Sequence, residues 1–392
     1  MLSNQKSILI VGASVRAAMQ SAQRAGFSPY GMDLFADQDT QAAGSVQAIS
    51  PYPEGIISHS KKIPASPWIY TGALENYPRT IAELSRSRPL LGNGPKVLRK
   101  VRDPFWLAET CREILPTVPQ LALWKDHQSL TDSDWLLKPF HSAAGRMVQS
   151  LQTVLEKKER NPSIVKEFKE KKFYLQQRMK GETQSALYFA TQGKAVLWGV
   201  TQQLSGCKFL NAKEFHYAGS IGPLSLTKEQ TQDWQALGDH LVQKANLKGV
   251  FGLDAVVNQE GIWPLEVNPR WTASVELYER AYGISAFLNH VHAVNDESVT
   301  VPDFKNLTPS SYWAKGILYA KQEIEIKEPL AARLLKHSET TPPWPCLADL
   351  PTAGAIIPPG APILTFFIAC PVREQLNQRL KKFAGIYHQF FK

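Results

Sequence analysis

The chain opens with a continuous apolar run, Ser7–Ala13, whose glycine lies near its end, the pattern of a strand buried in a parallel sheet. Val15–Ala25 then has helical spacing and stops at Gly26, and a second short strand, Ser28–Asp33, ends in an acid. This alternation predicts the βαβ opening of a doubly wound sheet, continued by a strand at Ile69–Tyr70 and a helix over Pro78–Ser87. The proline and glycine punctuation of Pro89–Pro95 predicts a domain boundary. Beyond it, Asp103 and Pro104 mark the start of a helix running to Leu115, as N-cap and first helical residue. Strands follow at Trp135–Lys138 and Phe173–Met179, then a hairpin, Tyr188–Gly193 with Ala195–Thr201, turned at Gln192-Gly193. Apolar positions at Trp234, Leu237, Leu241 and Ala245 place a helix over Lys228–Ala245. Two alternating strands, Gly249–Asn258 and Ile262–Val267, meet at the turn Gln259-Glu260-Gly261, and a helix starts near Ser274. Pro302–Pro309 reads as a linker, and the last part of the chain as strand-rich with a terminal helix from Val372.

At 392 residues the chain exceeds one ordinary core, and the boundaries divide it into residues 1–95, 96–300 and 301–392. A hydrophobic share of 43% with 20% charged residues is that of a folded globular protein. The net charge of +9 suits anionic ligands such as nucleotides. Lysines interleaved with glutamates over Lys157–Lys172 read as a solvated face, and no RNA- or DNA-binding motif accompanies them, so no nucleic-acid partner is expected. Cys111, Cys207, Cys346 and Cys370 form no CxxC pair, which speaks against a zinc site or a disulfide frame. No apolar run has membrane-spanning length and the N-terminal one is too short for a signal peptide, so a cytoplasmic location and no membrane partner are expected.

Gly249–Trp271 carries the chemistry. On two short-turned antiparallel strands Asp254 and Glu266 fall near each other, and Asn268 and Arg270 follow Glu266 at spacings of two on the same face. Two carboxylates and an amide oxygen around one point are what a hard divalent cation takes, and an adjacent arginine is a fixed donor for developing negative charge. A surface ion-pair cluster is the plainer reading of the same residues.

An acid followed twelve residues later by Glu-x-Asn-x-Arg resembles the ATP-grasp superfamily, which includes biotin carboxylase and D-alanine–D-alanine ligase. The stretch EVNPRWTASVEL is similar to the predicted ATP-dependent carboligases related to biotin carboxylase. The resemblance implies an α/β and α+β architecture: an ATP-grasp fold with an N-terminal Rossmann-like pre-ATP-grasp domain and a small C-terminal β-rich extension. It implies Asp254, Glu266 and Asn268 as ligands of Mg²⁺, or Mn²⁺ in its place, and Arg270 as the catalytic electrostatic stabiliser. Lys138, ahead of the small-residue loop Ser142–Arg146 with its single glycine, Gly145, matches the family's phosphate-binding lysine and loop. Leu175–Phe189 is similar to the adenine hinge, implying ATP contacts from Gln176 (where relatives carry an acid), Gln177 and Met179, and from Glu182 at the ribose. An earlier phosphate-binding position falls on Lys100 or Arg102, with Arg102 closer to the match.

The implied activity is that of an ATP- and Mg-dependent carboxylate–amine ligase acting through an acyl phosphate on small molecules, with a homodimer as the common assembly. Two alternatives stay open: carboxylation through carboxyphosphate, and a nucleotide-binding regulator without catalysis. Gly12-Ala-Ser-Val-Arg16 with Asp33 invites a dinucleotide reading, but Ser14 and Ala17 stand where that motif needs glycines. His290 and His292, two apart on a helix, make a poor chelate, and Phe215–Pro223 reads as a glycine-containing loop bordering the acceptor site.

Overall fold

The computed structural model describes residues 6–125, 130, 134–160, 173–301, 311–338 and 344–391. The N-terminal strands β1 (Ser7–Val11), β2 (Ser28–Asp33), β3 (Ser45–Ala48) and β4 (Trp68–Tyr70) form a parallel sheet in the order β3-β2-β1-β4. Leu9, Ile10 and Val11 are fully buried because helices cover both faces, which is why β1 lacks alternation. Gly12 ends β1 because the chain turns hard against Thr71, where a Cβ would lie 1.9 Å from the hydroxyl oxygen.

A second sheet is small and antiparallel, in the order β5-β8-β6-β7, from β5 (Leu121–Leu123), β6 (Trp135–Pro139), β7 (Gln149–Ser150) and β8 (Phe173–Gln177). Its core holds Trp135, Leu137, Leu151, Val154 and Leu175. Of the Lys157–Lys172 segment only the end of the helix Leu151–Arg160 falls within the described residues.

Eight strands make the largest sheet: β9 (Glu182–Thr191), β10 (Lys194–Ser205), β11 (Tyr217–Gly222), β12 (Gly249–Asn258), β13 (Gly261–Asn268), β14 (Tyr312–Tyr319), β16 (Leu347–Ala348) and β18 (Pro362–Cys370), with β15 (Ile324–Glu325) and β17 (Ile356–Ile357) paired apart. Their order is β13-β12-β9-β10-β11-β14-β18-β16, so strands near the C-terminus continue the sheet that begins with β9. The helix Lys228–Ala245 covers one face with Trp234, Leu237, Leu241 and Ala245, and a Thr227–Gln230 capping box starts it. Trp198, Tyr278, Phe287 and Trp271 pack on another face of the sheet, toward the N-terminal strands.

Local expectations meet three corrections. Phe215–Pro223 is not a loop: Tyr217–Gly222 is strand, paired with β10 and β14, and Gly219 is there because a Cβ would meet the Lys315 carbonyl oxygen at 1.9 Å. The terminal helix begins at Leu376, after a 3₁₀ turn over Arg373–Gln375, and the helix at Asp103 ends at Arg112. Asp103 is its N-cap, accepting from Phe105 N–H at 2.9 Å. His290 is a core residue, accepting from Val250 N–H at 2.9 Å and donating to the Leu91 carbonyl, and burial lowers its pKa to about 4. The Pro302–Pro309 stretch lies outside the described residues. Among the described residues no helix is long and apolar enough to cross a membrane.

Candidate active site

Register brings the acids together. Asp254 on β12 pairs directly with Glu266 on β13, so both side chains leave the same face, and a bulge follows between Asp254 and Ala255. Asp254 Oδ1 accepts from the Ser185 hydroxyl at 2.6 Å and from Gln203 at 2.8 Å, and Oδ2 accepts from the Asn268 amide at 3.0 Å. Burial, then the Glu266 charge, raises the Asp254 carboxyl to about 6. Burial also pushes Glu266 up, but Arg102, Lys138 and Arg270 outweigh it and hold that carboxyl below its usual range. The two acids thus repel each other at one point, with the cations offsetting the charge of Glu266.

Arg270 joins them from the end of β13. Its guanidinium donates to Asn268 Oδ1 at 2.9 Å and to Glu75 at 2.8 Å. Glu75 comes from the 3₁₀ turn Leu74–Asn76 after β4, and its side chain is fully buried, with Oε2 lacking any partner. Arg270 Nε is likewise buried without a partner. Gly72 lies against this guanidinium, where a Cβ would come within 3.6 Å of its central carbon.

Lys138, at the end of β6, completes the cationic side. It donates to Gln176 Oε1 on neighbouring β8 at 2.9 Å and lies 5.8 Å from the Tyr174 ring centre. Burial disfavours its charge, but Tyr174 and Glu266 outweigh burial and raise its pKa. Of the two earlier candidates, Arg102 faces the cluster: it reaches Glu266 at 3.5 Å, Asn76 at 3.2 Å and the Ser142 carbonyl at 3.0 Å. Lys100 turns away to the Lys244 carbonyl at 3.1 Å.

The small-residue loop is held down. Besides Arg102, the Asn76 amide donates to Ser142, and Tyr217 N–H donates to the Ala144 carbonyl at 3.2 Å. Gly145, at φ +70, packs so tightly that a Cβ would sit 1.9 Å from the Phe215 carbonyl oxygen. The hinge candidates are more dispersed. Gln177 donates its N–H to the Gln120 carbonyl at 2.9 Å, and Met179 lies beyond the strand end. Glu182, at the start of β9, accepts from Gln184 at 2.7 Å and lies 3.6 Å from Arg373.

The donor set fits a hard divalent cation: two carboxylates and an amide, all oxygen-bearing and two of them mutually repulsive. The Asn268 amide presents its NH₂ to Asp254, so a cation between them requires the amide turned by half a rotation. Among the described residues no three His, Cys, Asp or Glu converge on a metal-sized point.

A family model described as the ATP-grasp domain matches residues 107–274. Over those residues the chain matches an ATP-grasp domain. The matched span runs from the Pro104–Arg112 helix through β13 and includes Lys138, Gln176 and Asp254–Arg270, while Glu75, Asn76 and Arg102 come from the part of the chain before it. The ATP-grasp fold extends over nearly the whole chain in solved structures. Carboxyaminoimidazole ribonucleotide synthase from Aspergillus clavatus, complexed with ATP, superposes with a TM-score of 0.73 at 13% identity, covering 99% of both chains. The biotin carboxylase domain dimer of Hydrogenobacter thermophilus 2-oxoglutarate carboxylase, with MgADP and bicarbonate, gives 0.72 at 15% identity over 96% of this chain and 88% of that one. L-amino acid ligase from Bacillus licheniformis gives 0.69 at 13% identity over 96% of each. An uncharacterised protein of Methanocaldococcus jannaschii is 20% identical over 94% of this chain and 90% of its own length.

Four residues that the sequence does not single out complete the constellation: Ser185, Gln203, Glu75 and Asn76. The first two are legible once β9, β10 and β12 are set side by side, since Ser185 faces Asp254 across the ladder. Glu75 and Asn76 sit in a polar turn, and no local pattern marks them.

Proposed function

We propose that this chain is an ATP- and Mg-dependent ligase that activates a substrate carboxylate as an acyl phosphate and joins it to an amine. The observation that carries this reading is the convergence of Asp254, Glu266 and Asn268 with three cations, Lys138, Arg102 and Arg270, around one point in an ATP-grasp fold. Bound Mg²⁺, or Mn²⁺, supplies charge neutralisation between nucleotide phosphates; Asp254, Glu266 and Asn268 would hold it. Lys138 and Arg102 would orient the phosphates as fixed point charge and planar donor. Arg270, steered by Glu75, would offset the negative charge that grows on the transferred group. Held as it is by Tyr217 and Asn76, the Ser142–Arg146 segment would keep water from the acyl phosphate. Gln176, neutral where an acid would repel phosphate, leaves Lys138 its full charge for the nucleotide.

Glu266→Gln and Asn268→Ala test the assignment. Each is expected to lower metal-dependent ADP release by on the order of 10²–10³. Full ADP release in either variant removes these residues from the metal role.

A second reading is carboxylation through carboxyphosphate, favoured by the likeness to the biotin carboxylase domain, which was solved with bicarbonate. ADP release that needs bicarbonate and no amine selects it. Release that needs both a carboxylate and an amine selects the ligase.

A further inference from the structure

The 3₁₀ turn Leu74–Asn76, just after the N-terminal sheet, touches two parts of the candidate site that belong to two other sheets. Leu74 anchors it, fully buried in one core with Leu9, Val11, Tyr70 and Ile81. Its backbone is closed by Asn76 N–H on the Ala73 carbonyl at 3.2 Å and Tyr77 N–H on the Leu74 carbonyl at 2.9 Å. Ala73, leading into it, is held at φ +74, a left-handed conformation that a side chain makes costly. Such strain persists only where surrounding contacts over-determine it, and it gathers at ligand clamps and switches.

Two neighbouring side chains leave this turn for different partners. Glu75 takes the Arg270 guanidinium at 2.8 Å. Its Oε2 and Arg270 Nε are both buried without a partner, so the pair rests on one hydrogen bond instead of a two-pronged fork. The backbone beside Arg270 is fixed separately, since the Tyr70 hydroxyl and the Asn93 amide donate to the Pro269 carbonyl at 3.2 and 3.1 Å. Glu75 therefore acts on the guanidinium and not on the strand end. Asn76 faces the small-residue loop. Its Nδ2 donates to the Ser142 carbonyl at 3.2 Å, and its Oδ1 accepts from Arg102 Nη2 at 3.2 Å. That Arg102 nitrogen also donates to Ser142 at 3.0 Å, which closes a triangle of loop, turn and cation.

We propose that the Leu74–Asn76 turn couples closure of the small-residue loop to the alignment of Arg270, with Asn76 as the positioning residue that registers the loop. With the loop down, Ser142 and Arg102 hold Asn76, the turn is fixed, and Glu75 presents the guanidinium. With the loop raised, Asn76 loses the Ser142 carbonyl and the single Glu75–Arg270 bond loses its support. Phosphoryl transfer then waits on a closed loop, which spares ATP from water. That use of the coupling rests on the ligase reading, whereas the coupling itself needs only nucleotide binding.

Hydrogen exchange of the full chain with and without MgADP tests it. In the wild type MgADP is expected to slow exchange together in residues 142–148 and 268–273. Asn76 contacts only the first segment and is half-buried, so Asn76→Ala leaves the core intact. The variant is expected to lose about tenfold of the protection in both segments. Protection kept at 268–273 while the loop loses it, unchanged exchange in both, or no MgADP response in the wild type overturns the proposal. In steady-state assays Asn76→Ala is expected to raise KM for ATP and to lower kcat about tenfold. In a Glu75→Gln background it should lower kcat no further, because it acts through Glu75. An unchanged kcat, or full additivity of the two substitutions, overturns the proposal as well. A wild type with the paired exchange response but no adduct from any substrate pool removes the ligase reading and leaves the coupling standing.

Discussion

Glu75 shows how much one side chain outside the signature strands governs the candidate site. Its carboxylate is fully buried and takes the Arg270 guanidinium at 2.8 Å, so it fixes the arginine to which the proposed mechanism assigns the developing charge. Glu75→Gln keeps the shape and removes that charge. It is expected to lower kcat by about 100-fold, the cost of a misplaced catalytic group, with little change in KM; unchanged kcat in steady-state assays would strike Glu75 from the positioning role. Nothing local in the sequence announces this glutamate, because its partner lies 195 positions away and a lone acid in a polar turn has no periodicity. Asp254, Glu266, Asn268 and Arg270 were legible for the opposite reason. They lie on one hairpin, where strand alternation alone decides which side chains meet.

At the scale of elements, the Ser142–Arg146 loop and the Phe215–Tyr217 segment act as a pair. Gly145 at φ +70 touches the Phe215 carbonyl, and Phe215 itself is at φ +63. A methyl at position 145 must push the loop off and break the Tyr217–Ala144 hydrogen bond. Gly145→Ala is therefore expected to cost loop closure about 1 kcal/mol, a roughly fivefold rise in KM for ATP. Wild-type KM in that variant would show that the contact does not matter for nucleotide binding. Glycine-rich text in Phe215–Pro223 reads as a loop from sequence, yet Gly219 serves the close approach of β14 to β11. A glycine marks a tight approach without saying to what. Helices were clearer, since the Thr227–Gln230 box and the buried stripe of Lys228–Ala245 are both local signals.

Across the whole molecule, buried ion pairs tie distant segments together. Arg16, Glu276, Lys315 and Asp349 come from four separate stretches of chain and meet at 2.6–2.9 Å, a contact no local pattern foretells. Burial alone would raise the Glu276 carboxyl, but Arg16 and Lys315 hold it well below the usual range. Its contribution to stability is therefore present above the unfolded value near pH ~4.3 and lost as pH falls through the folded one. Glu276→Gln leaves two buried cations short of a partner and is expected to cost about 3–5 kcal/mol in urea unfolding at pH 7. A loss within experimental error would mean the pairs add nothing. Asp37 runs the other way. Its carboxyl is raised to about 8, so the proton-bound form stabilises the fold, fully below the unfolded value near pH ~3.9 and no longer once pH passes 8. Asp37→Asn should thus be more stable than the wild type at pH 9 by about 1–3 kcal/mol, and the two should converge toward pH 4. Equal stability at pH 9 would show that Asp37 is solvated as an ordinary carboxylate.

The central claim is tested most directly by ADP release from the wild type and from Asp254→Asn, with pooled carboxylates against pooled amines and mass spectrometry of the products. Release is expected to require Mg²⁺, a carboxylate and an amine together, with an adduct of the mass of the two less water and loss of both in the variant. ADP release without an adduct in every pool, or an adduct made equally well by Asp254→Asn, would contradict it.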